Sequence, residues 1–156
     1  MWPGCGPGHG RSRLTTGRAE GVDLWRSLDQ SGNSLEATRR NAIAEGVADR
    51  VELHSGDMTV LPFEDNSFDV VVSSLAIHNI SGSAGREKAI TEAVRVLRPG
   101  GRLMIADIRA TRQHEGQLAK LGMSEVARRR LGWRFWWGGP WGATCLVTAT
   151  KPECRN

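Results

Sequence analysis

Alternating glycines near the start of the chain are followed, at a distance suited to nucleoside binding, by a single acid. The glycine motif is Gly4-Cys5-Gly6-Pro7-Gly8, and Asp23 lies nineteen residues after Gly4. Glycines in a strand-to-helix turn let the backbone approach a ligand, because a Cβ atom would fill that space. An acid at the end of an apolar strand can accept hydrogen bonds from both ribose hydroxyls of a nucleoside. The two features together indicate a cofactor that contains a nucleoside.

Strand and helix patterns alternate in the segment that follows the glycine motif. Residues 18–23 and 51–54 predict two short strands. Asn33 and Glu36 form a capping box, which predicts a helix that runs through about Glu45 and is closed by Gly46. This order is typical of a parallel sheet whose strands are connected by helices.

The same alternation continues toward the middle of the chain. The nearly continuous apolar run at residues 68–75 predicts a strand covered on both faces. Apolar residues then recur at helical spacing and are followed by a Pro-Gly-Gly stop at residues 99–101. A second buried strand is predicted at residues 102–107. The residues of the helical stripe are Ile90, Ala93, Val94 and Leu97.

The C-terminal third of the chain has a different pattern. Residues 111–121 predict a helix, and residues 126–137 and 143–150 predict two strands joined by Gly138-Gly139-Pro140. The predicted fold is therefore a single α/β domain over residues 1–156, with a mostly parallel sheet and a C-terminal antiparallel hairpin.

Composition limits the class of protein. The 156 residues are 24% charged and 39% hydrophobic, which is typical of one globular domain with a real core. No apolar run approaches the 18 or so residues of a membrane helix, and no signal-peptide core is present. We therefore expect a cytoplasmic protein with no membrane partner. The three cysteines lack CxxC spacing, so we expect neither a metal site nor a disulfide framework.

Charge is distributed unevenly along the sequence. Residues 1–108 carry 12 basic and 14 acidic side chains, whereas residues 109–156 carry 9 and 3. The positive segment could face an anionic substrate or nucleic acid, or it could be a solvated surface. We favour the solvated surface, and a nucleic-acid partner is not expected.

The ordered set of motifs resembles the class I S-adenosylmethionine-dependent methyltransferases. The resemblance covers about residues 4 to 107 and continues into the closing hairpin. It implies a Rossmann-like, doubly wound sheet. The residues that carry it are the glycine motif, Gly21-Val22-Asp23, Gly56-Asp57-Met58, Leu61-Pro62-Phe63, the strand from Phe68 to Val72, and the segment from Arg95 to Leu103.

The resemblance implies S-adenosyl-L-methionine as the cofactor and methyl transfer to a small molecule as the reaction. Asp23 would bind the ribose, Leu24 would lie beside the adenine, and Asp57 would accept a hydrogen bond from the adenine amino group. Met58 would pack nearby, and Ser74 lies where the fourth strand of the family meets the cofactor. The implied cofactor-binding residues are Gly4, Gly6, Gly8, Asp23, Leu24, Asp57, Met58 and Ser74.

The sequence departs from the family pattern before the glycine motif. Only Met1-Trp2-Pro3 precede it, and three residues with a proline cannot form the buried strand that a parallel sheet needs there. We therefore predict that the first strand is missing and that the chain is truncated at its N-terminus. The corresponding hypothesis is that this form binds the cofactor weakly unless a longer natural N-terminus exists.

His78 and Asn79 are the candidate substrate residues. They follow the predicted strand at residues 68–75, at the edge where ligands of open α/β sheets bind. His78 is the candidate catalytic residue because it could take a proton from the acceptor or orient it, although it could equally cap a loop. Among the other histidines, His54 is predicted to be a surface or core residue, and His9 and His114 are predicted to be exposed.

Aromatic residues on the predicted hairpin could contact a partner. Trp133, Phe135, Trp136, Trp137 and Trp141 could cover an acceptor pocket, stack on bases, or pack against a helix or a second subunit. We favour packing, which includes a homodimer formed through the hairpin.

Three other functions stay open at the level of sequence. A dinucleotide-dependent dehydrogenase is disfavoured because His9 stands where its glycine pattern requires a third glycine. A truncated, non-catalytic domain could serve as an interaction module. Methylation of RNA rests on the basic C-terminal segment alone.

Overall fold

The computed structural model describes residues 17–25, 34–135 and 142–153. Contacts group the chain into two compact units, Met1–Asp57 and Met58–Asn156, which we call the N-terminal and the C-terminal unit. The single domain over residues 1–156 stays a prediction. The glycine motif and the residues before it, on which the prediction of a missing first strand rests, lie outside the described residues.

The N-terminal unit contains two parallel strands separated in sequence by a helix. Strand β1 (Ala19–Asp23) pairs with strand β2 (Val51–Ser55), and helix α1 (Leu35–Ala44) connects them. The register places Asp23 opposite Ser55. Both strands therefore end at the same edge of this sheet, as parallel strands joined by a helix must.

Helix α1 begins one residue later than the capping pattern predicts. Its N-cap is Ser34, whose Oγ accepts a hydrogen bond from the Ala37 N–H at 3.1 Å. The predicted cap, Asn33, lies outside the described residues. The predicted helix end is confirmed, because α1 stops at Ala44 and Gly46 adopts a left-handed φ of +67°, which favours glycine.

The C-terminal unit contains a four-stranded mixed sheet in the order β3-β4-β6-β5. Strands β3 and β4 are parallel, whereas β6 runs antiparallel to both of its neighbours. The predicted α/β class with a C-terminal antiparallel hairpin is confirmed. The elements in chain order are β3 (Phe68–Ser74), a 3-10 turn (Ile77–Asn79), α2 (Ser83–Val96), β4 (Leu97–Asp107), α3 (Thr111–Lys120), β5 (Ser124–Arg130), a second 3-10 turn (Trp133–Phe135) and β6 (Cys145–Thr150).

The hydrophobic core of the C-terminal unit lies between its helices and its sheet. The predicted stripe of α2 is confirmed in its main positions, since Ile90, Ala93 and Leu97 are buried. Burying a large apolar side chain contributes about 1.5–3 kcal/mol to the free energy of folding, so this core is the main source of stability of the C-terminal unit. Other core residues are Ile77, Leu103, Ile105, Leu118, Met123, Val147 and Ala149.

Helix α2 passes directly into β4 at Val96–Leu97, before the predicted stop at residues 99–101. The helix end is held by Lys151, which follows β6. Its Nζ donates to the carbonyl oxygens of Val94 at 2.8 Å and Leu97 at 2.7 Å. A cation at this position satisfies helix carbonyls and interacts favourably with the helix dipole. A residue distant in sequence therefore holds the end of α2.

Strand β3 is less covered than its apolar sequence predicts. Val70 is 49% exposed and Val72 is 59% exposed. Side chains two residues apart in a strand point to the same face, so this face of β3 is left uncovered. The prediction of a strand covered on both faces is wrong for these two residues.

Strand β5 is shorter than predicted and ends at Arg130 instead of residue 137. The chain leaves the sheet at Gly132, which has a φ of +83°. Trp133 then lies in a 3-10 turn with 70% of its surface exposed, and the Arg134 guanidinium lies 5.4 Å from the Trp133 ring centre. The predicted turn at residues 138–140 lies outside the described residues, as do Trp136, Trp137 and Trp141.

Candidate functional site

The predicted ribose acid ends strand β1 in the N-terminal unit. Asp23 Oδ1 accepts a hydrogen bond from the Trp25 N–H at 2.8 Å, and the Asp23 carbonyl oxygen accepts one from the Gly56 N–H at 3.1 Å. Leu24, predicted to lie beside the adenine, is 45% exposed. The carboxylate thus stands at the edge where the strands end, which is where a ribose acid is required.

Asp57 follows β2 at the same edge of the N-terminal unit. It is exposed and comes directly after Gly56, whose backbone is hydrogen-bonded to the end of β1. The structure therefore brings the ends of the segments that carry Asp23 and Asp57 together. This placement fits an acid for the ribose and an acid for the adenine. Gly4, Gly6 and Gly8 lie outside the described residues.

Two further predicted cofactor residues belong to the C-terminal unit. Met58 is half-buried and packs against the hydrophobic core of that unit. Ser74 is the last residue of β3 and is exposed at the carboxyl end of the strand. Their contact with a cofactor stays a prediction.

The candidate catalytic histidine is paired with a buried carboxylate of the C-terminal unit. His78 lies on the 3-10 turn after β3, and Asp107 is the last residue of the neighbouring strand β4. The His78 N–H donates to Asp107 Oδ2 at 3.0 Å, and the ring Nδ1 contacts Asp107 Oδ1. Asp107 Oδ1 also accepts the Ile108 N–H at 2.8 Å. The Asp107 side chain is fully buried, whereas 14% of the His78 side chain is exposed.

This pairing gives His78 a defined chemical capability. The contact with the Asp107 carboxylate orients the His78 ring, and a neutral imidazole whose Nδ1 carries the proton has a lone pair on Nε2 that can take a proton. The sequence analysis did not select Asp107 as a site residue. The sequence nevertheless contained information that could have identified it. Asp107 ends a buried strand that is parallel to the strand preceding His78, and the carboxyl ends of parallel strands meet at one edge of a sheet.

His114 is buried, so the prediction that it is exposed is wrong. Helix α3 buries His114 together with Leu118, one turn later. Neither ring nitrogen has a hydrogen-bond partner in the part of the chain that the structure describes. Burial lowers the pKa of His114, although the Asp107 carboxylate opposes this shift. His114 is therefore a neutral side chain in the environment of Asp107 at neutral pH.

The turn that carries His78 is tied to its surroundings by two side chains. Arg86 of α2 donates to the Ile80 carbonyl oxygen at 3.0 Å and to Gln113 Oε1 of α3 at 3.2 Å. Asn79 Nδ2 donates to the Leu75 carbonyl oxygen at 3.4 Å. Asn79 therefore caps the turn in this structure, and its role toward a substrate stays a prediction.

The motif segment Leu61-Pro62-Phe63 is fixed by helix α2 of the same unit. Arg95 donates to the carbonyl oxygens of Leu61 at 3.0 Å and Phe63 at 2.8 Å, and Glu92 Oε2 accepts the Leu61 N–H at 2.8 Å. Arg95 and Glu92 are themselves paired at 2.8 Å. The hydrogen bond from Arg95 is the main reason that the pKa of Glu92 is lowered.

His54 takes part in a small polar cluster on the N-terminal sheet. Its Nε2 lies 2.7 Å from Glu20 Oε2 across β1 and β2, and 4.0 Å from Glu52 Oε1. His54 is half-buried, which agrees with its prediction as a surface or core residue. The pairing with Glu20 accounts for its placement.

Comparison with known protein families identifies the family to which this chain belongs. A model of the methyltransferase domain matches residues 2–105, a span that contains the glycine motif, Asp23, Asp57 and His78. The chain belongs to the class I S-adenosylmethionine-dependent methyltransferases. The family resemblance drawn from the sequence is therefore confirmed.

Two curated methyltransferases are similar to this one over part of their length. The ubiquinone/menaquinone biosynthesis C-methyltransferase UbiE of Roseobacter denitrificans is 42% identical over 80 residues, which is 51% of this chain and 31% of UbiE. The methyltransferase GfsG of Streptomyces halstedii is 39% identical over 105 residues, which is 67% of this chain and 36% of GfsG. This methyltransferase chain thus spans about a third of the length of these relatives.

Among solved structures, the crystal structure of the cyclase SpnF is similar with a TM-score of 0.68 at 20% identity. The similarity covers 88% of this chain and 67% of SpnF, and it shows a shared fold. None of the helices in the described part of this methyltransferase is long and apolar enough to cross a membrane.

Proposed function

We propose that the chain transfers a methyl group from S-adenosyl-L-methionine to a small-molecule acceptor. The observation that carries this proposal is the family match over residues 2–105. The placement of Asp23 and Asp57 at one edge of the N-terminal sheet supports it, because the cofactor has a ribose and an adenine to bind.

The residues that would hold the cofactor follow from their positions. Asp23 would accept hydrogen bonds from the ribose hydroxyls, Leu24 would contact the adenine, and Asp57 would accept from its amino group. Contact of Met58 and Ser74 with the cofactor is an expectation from the family resemblance alone. Gly4, Gly6 and Gly8 would let the backbone approach. S-adenosyl-L-methionine, when bound, supplies a methyl group on a sulfonium for transfer to a nucleophile.

His78 would act on the acceptor side of the reaction. Its Nε2 would accept a proton from the acceptor atom, while the contact with Asp107 would hold the ring in orientation. Asp107 is a positioning residue in this scheme because it acts through His78. Asn79 and the turn of residues 77–79 would border the acceptor. Orientation of the acceptor in line with the methyl group supplies the rest of the rate enhancement.

A small acceptor is supported by the relatives. UbiE is named as a C-methyltransferase of ubiquinone/menaquinone biosynthesis, and we infer a small-molecule acceptor for this chain as well. The cytoplasmic location and a homodimer through the C-terminal aromatic residues remain predictions.

Calorimetric titration of the purified chain with S-adenosylhomocysteine, the reaction product, tests the proposal. We expect binding that Asp23→Ala weakens by about 10- to 150-fold, since a charge-assisted hydrogen bond contributes about 1.5–3 kcal/mol. The matched control is Asp49→Ala, an acid of the same unit with 74% of its side chain exposed. A wild-type chain that melts cooperatively and binds no S-adenosylhomocysteine would contradict the proposal and favour a non-catalytic interaction module.

A further inference from the structure

An arginine-lined cavity opens at the edge of the C-terminal sheet. Its volume is about 450 Å³, and it is lined by residues 108–112, Arg128, Arg130, Ala143 and Cys145. We call this the arginine cavity. Four of the lining residues are Arg109, Arg112, Arg128 and Arg130, so four of the nine basic residues in the C-terminal segment share one concave surface.

Three of the four guanidinium groups have no anionic partner in the described structure. Arg128 pairs with Glu115 at 3.1 Å. The side chains of Arg109, Arg112 and Arg130 are exposed, and none of these side chains has an ion pair or hydrogen bond within residues 17–25, 34–135 and 142–153. Like charges gathered in one concavity repel each other, and an anion bound there would relieve that repulsion. The cavity is therefore suited to a ligand with more than one negative charge.

The backbone around the arginine cavity adds N–H donors that also favour an anion. Helix α3 begins at Thr111, inside the cavity wall, and no described side chain caps its N-terminus. The N–H groups of a first helical turn point outward and carry partial positive charge. They add to the field of the arginines.

The cavity borders the end of strand β4, where Asp107 lies. Asp107 of β4 is opposite Cys145 of β6, and Cys145 is opposite Arg130 of β5. Neighbouring strands are about 4.8 Å apart, so these three residues form one short row across the sheet. Ile108, which lines the cavity, donates its N–H to Asp107. The cavity therefore begins at the residue that follows Asp107, at the carboxyl end of β4.

We propose that the arginine cavity binds the phosphate or diphosphate group of the methyl acceptor. Arginine forks bind phosphate oxygens in pairs, which suits a tetrahedral oxyanion. A cavity of about 450 Å³ accommodates a small ligand, whereas nucleic acid that binds without base readout follows an extended basic groove. The role of the ligand as methyl acceptor rests on the proposed function, but the anion site itself does not.

Titration of the full chain with inorganic pyrophosphate at constant ionic strength tests this site. We expect saturable binding by calorimetry and a higher melting temperature than sodium chloride gives at equal ionic strength. Arg112→Gln and Arg130→Gln should each weaken pyrophosphate binding at least about tenfold. Both side chains are exposed and unpaired among the described residues, so these variants should fold, which their melting curves would verify.

Arg129→Gln is the matched control, because Arg129 lies between two cavity arginines on β5 but does not line the cavity. It should bind pyrophosphate like the wild type. Absence of saturable binding, or an equal loss in Arg129→Gln, would overturn the proposal. An oligo-uridylate that binds more tightly than pyrophosphate, and is weakened equally by all three substitutions, would also overturn it.

The hypothesis of an anion site and the proposed function can be tested independently of each other. Pyrophosphate binding does not require Asp23, so Asp23→Ala should retain it. A chain that binds pyrophosphate in the predicted pattern but no S-adenosylhomocysteine would confirm the anion site and overturn its assignment to a methyl acceptor.

Discussion

The backbone N–H of His78 donates to Asp107 Oδ2 at 3.0 Å, so a carboxylate at the end of β4 holds the turn that follows β3. The same carboxylate contacts the His78 ring and accepts the Ile108 N–H. One fully buried group thus orders both loops at the carboxyl edge of the C-terminal sheet. In the proposed function this carboxylate also holds the ring of the histidine in orientation.

Replacing Asp107 with asparagine is expected to destabilise the chain by about 1–3 kcal/mol, because an amide nitrogen would face an N–H donor in a buried site. Denaturant unfolding measures this change. Asp69→Asn provides the control, since Asp69 is an acid with 80% of its side chain exposed, and its change should stay within about 0.5 kcal/mol. Equal effects of the two substitutions would show that Asp107 does not order these loops.

The pairing of Glu92 with Arg95 predicts a loss of stability in acid. Because the folded-state pKa of Glu92 lies below its ordinary value of 4.5, the stabilisation is fully present above that value and is lost as the pH falls through the lowered pKa. Glu92→Gln should lower the melting temperature at neutral pH. It should also make the melting temperature fall less steeply as the pH is lowered from about 5 to about 3. Glu87→Gln, an exposed residue of the same helix, should leave the decline unchanged.

Lys151 is expected to contribute strongly to stability through the end of α2. Its Nζ also donates to Asn66 Oδ1 at 2.9 Å, and hydrogen bonds to a charged group contribute about 1.5–3 kcal/mol. Lys151→Met should lower the free energy of unfolding by about that amount. Lys120→Met, at an exposed lysine in the last turn of α3, should change it by less than about 0.5 kcal/mol. Similar values for the two variants would contradict the capping role of Lys151.

Two glycines are expected to respond to alanine with opposite signs. A Cβ on Gly101 would lie 2.8 Å from the Arg98 carbonyl oxygen and 2.9 Å from the Leu97 side chain, so Gly101→Ala should destabilise the chain by about 1–3 kcal/mol. A Cβ on Gly116, inside helix α3, would meet nothing within 4 Å. Gly116→Ala should stabilise it by about 0.5–1 kcal/mol. Thermal unfolding distinguishes the two, and a destabilising Gly116→Ala would show that α3 needs glycine there.

Local patterns in the sequence predicted most of the secondary structure. The strand ending near Ser74 follows from a nearly continuous apolar run, and the end of α1 follows from Gly46. These features depend on neighbours within a few residues, which periodicity and turn chemistry report directly.

Contacts between distant residues escaped prediction. Lys151 reaches carbonyl oxygens more than fifty positions earlier, and Arg95 reaches the Leu61 carbonyl 34 positions earlier. Neither partner follows from local spacing. The burial of His114 could have been predicted in part. Leu118, one turn later, indicates the inward face of α3, but the polar residues next to His114 in the sequence suggested an exposed position.

The arginine cavity could not be predicted without knowing the order of the strands in the sheet. Arg128 and Arg130 alternate with Arg129 along β5, so the sequence predicts that two of the three share a face. It does not predict that β6 lies between β4 and β5 and thereby brings this face beside residues 108–112. Placement of the last strand therefore converts a basic stretch of sequence into a concave site.

The distribution of buried residues affects how this chain can change by mutation. All apolar side chains that are buried among the described residues lie between Ile77 and Ala149, in the C-terminal unit. Helix α1 has no buried residue at all. Substitutions in the described part of the N-terminal unit should therefore alter ligand contacts with small losses of folding free energy. The segment that carries Asp23 and Asp57 is thus the more evolvable part of the described chain, whereas the turn that carries His78 is constrained by the core to which Ile77 belongs.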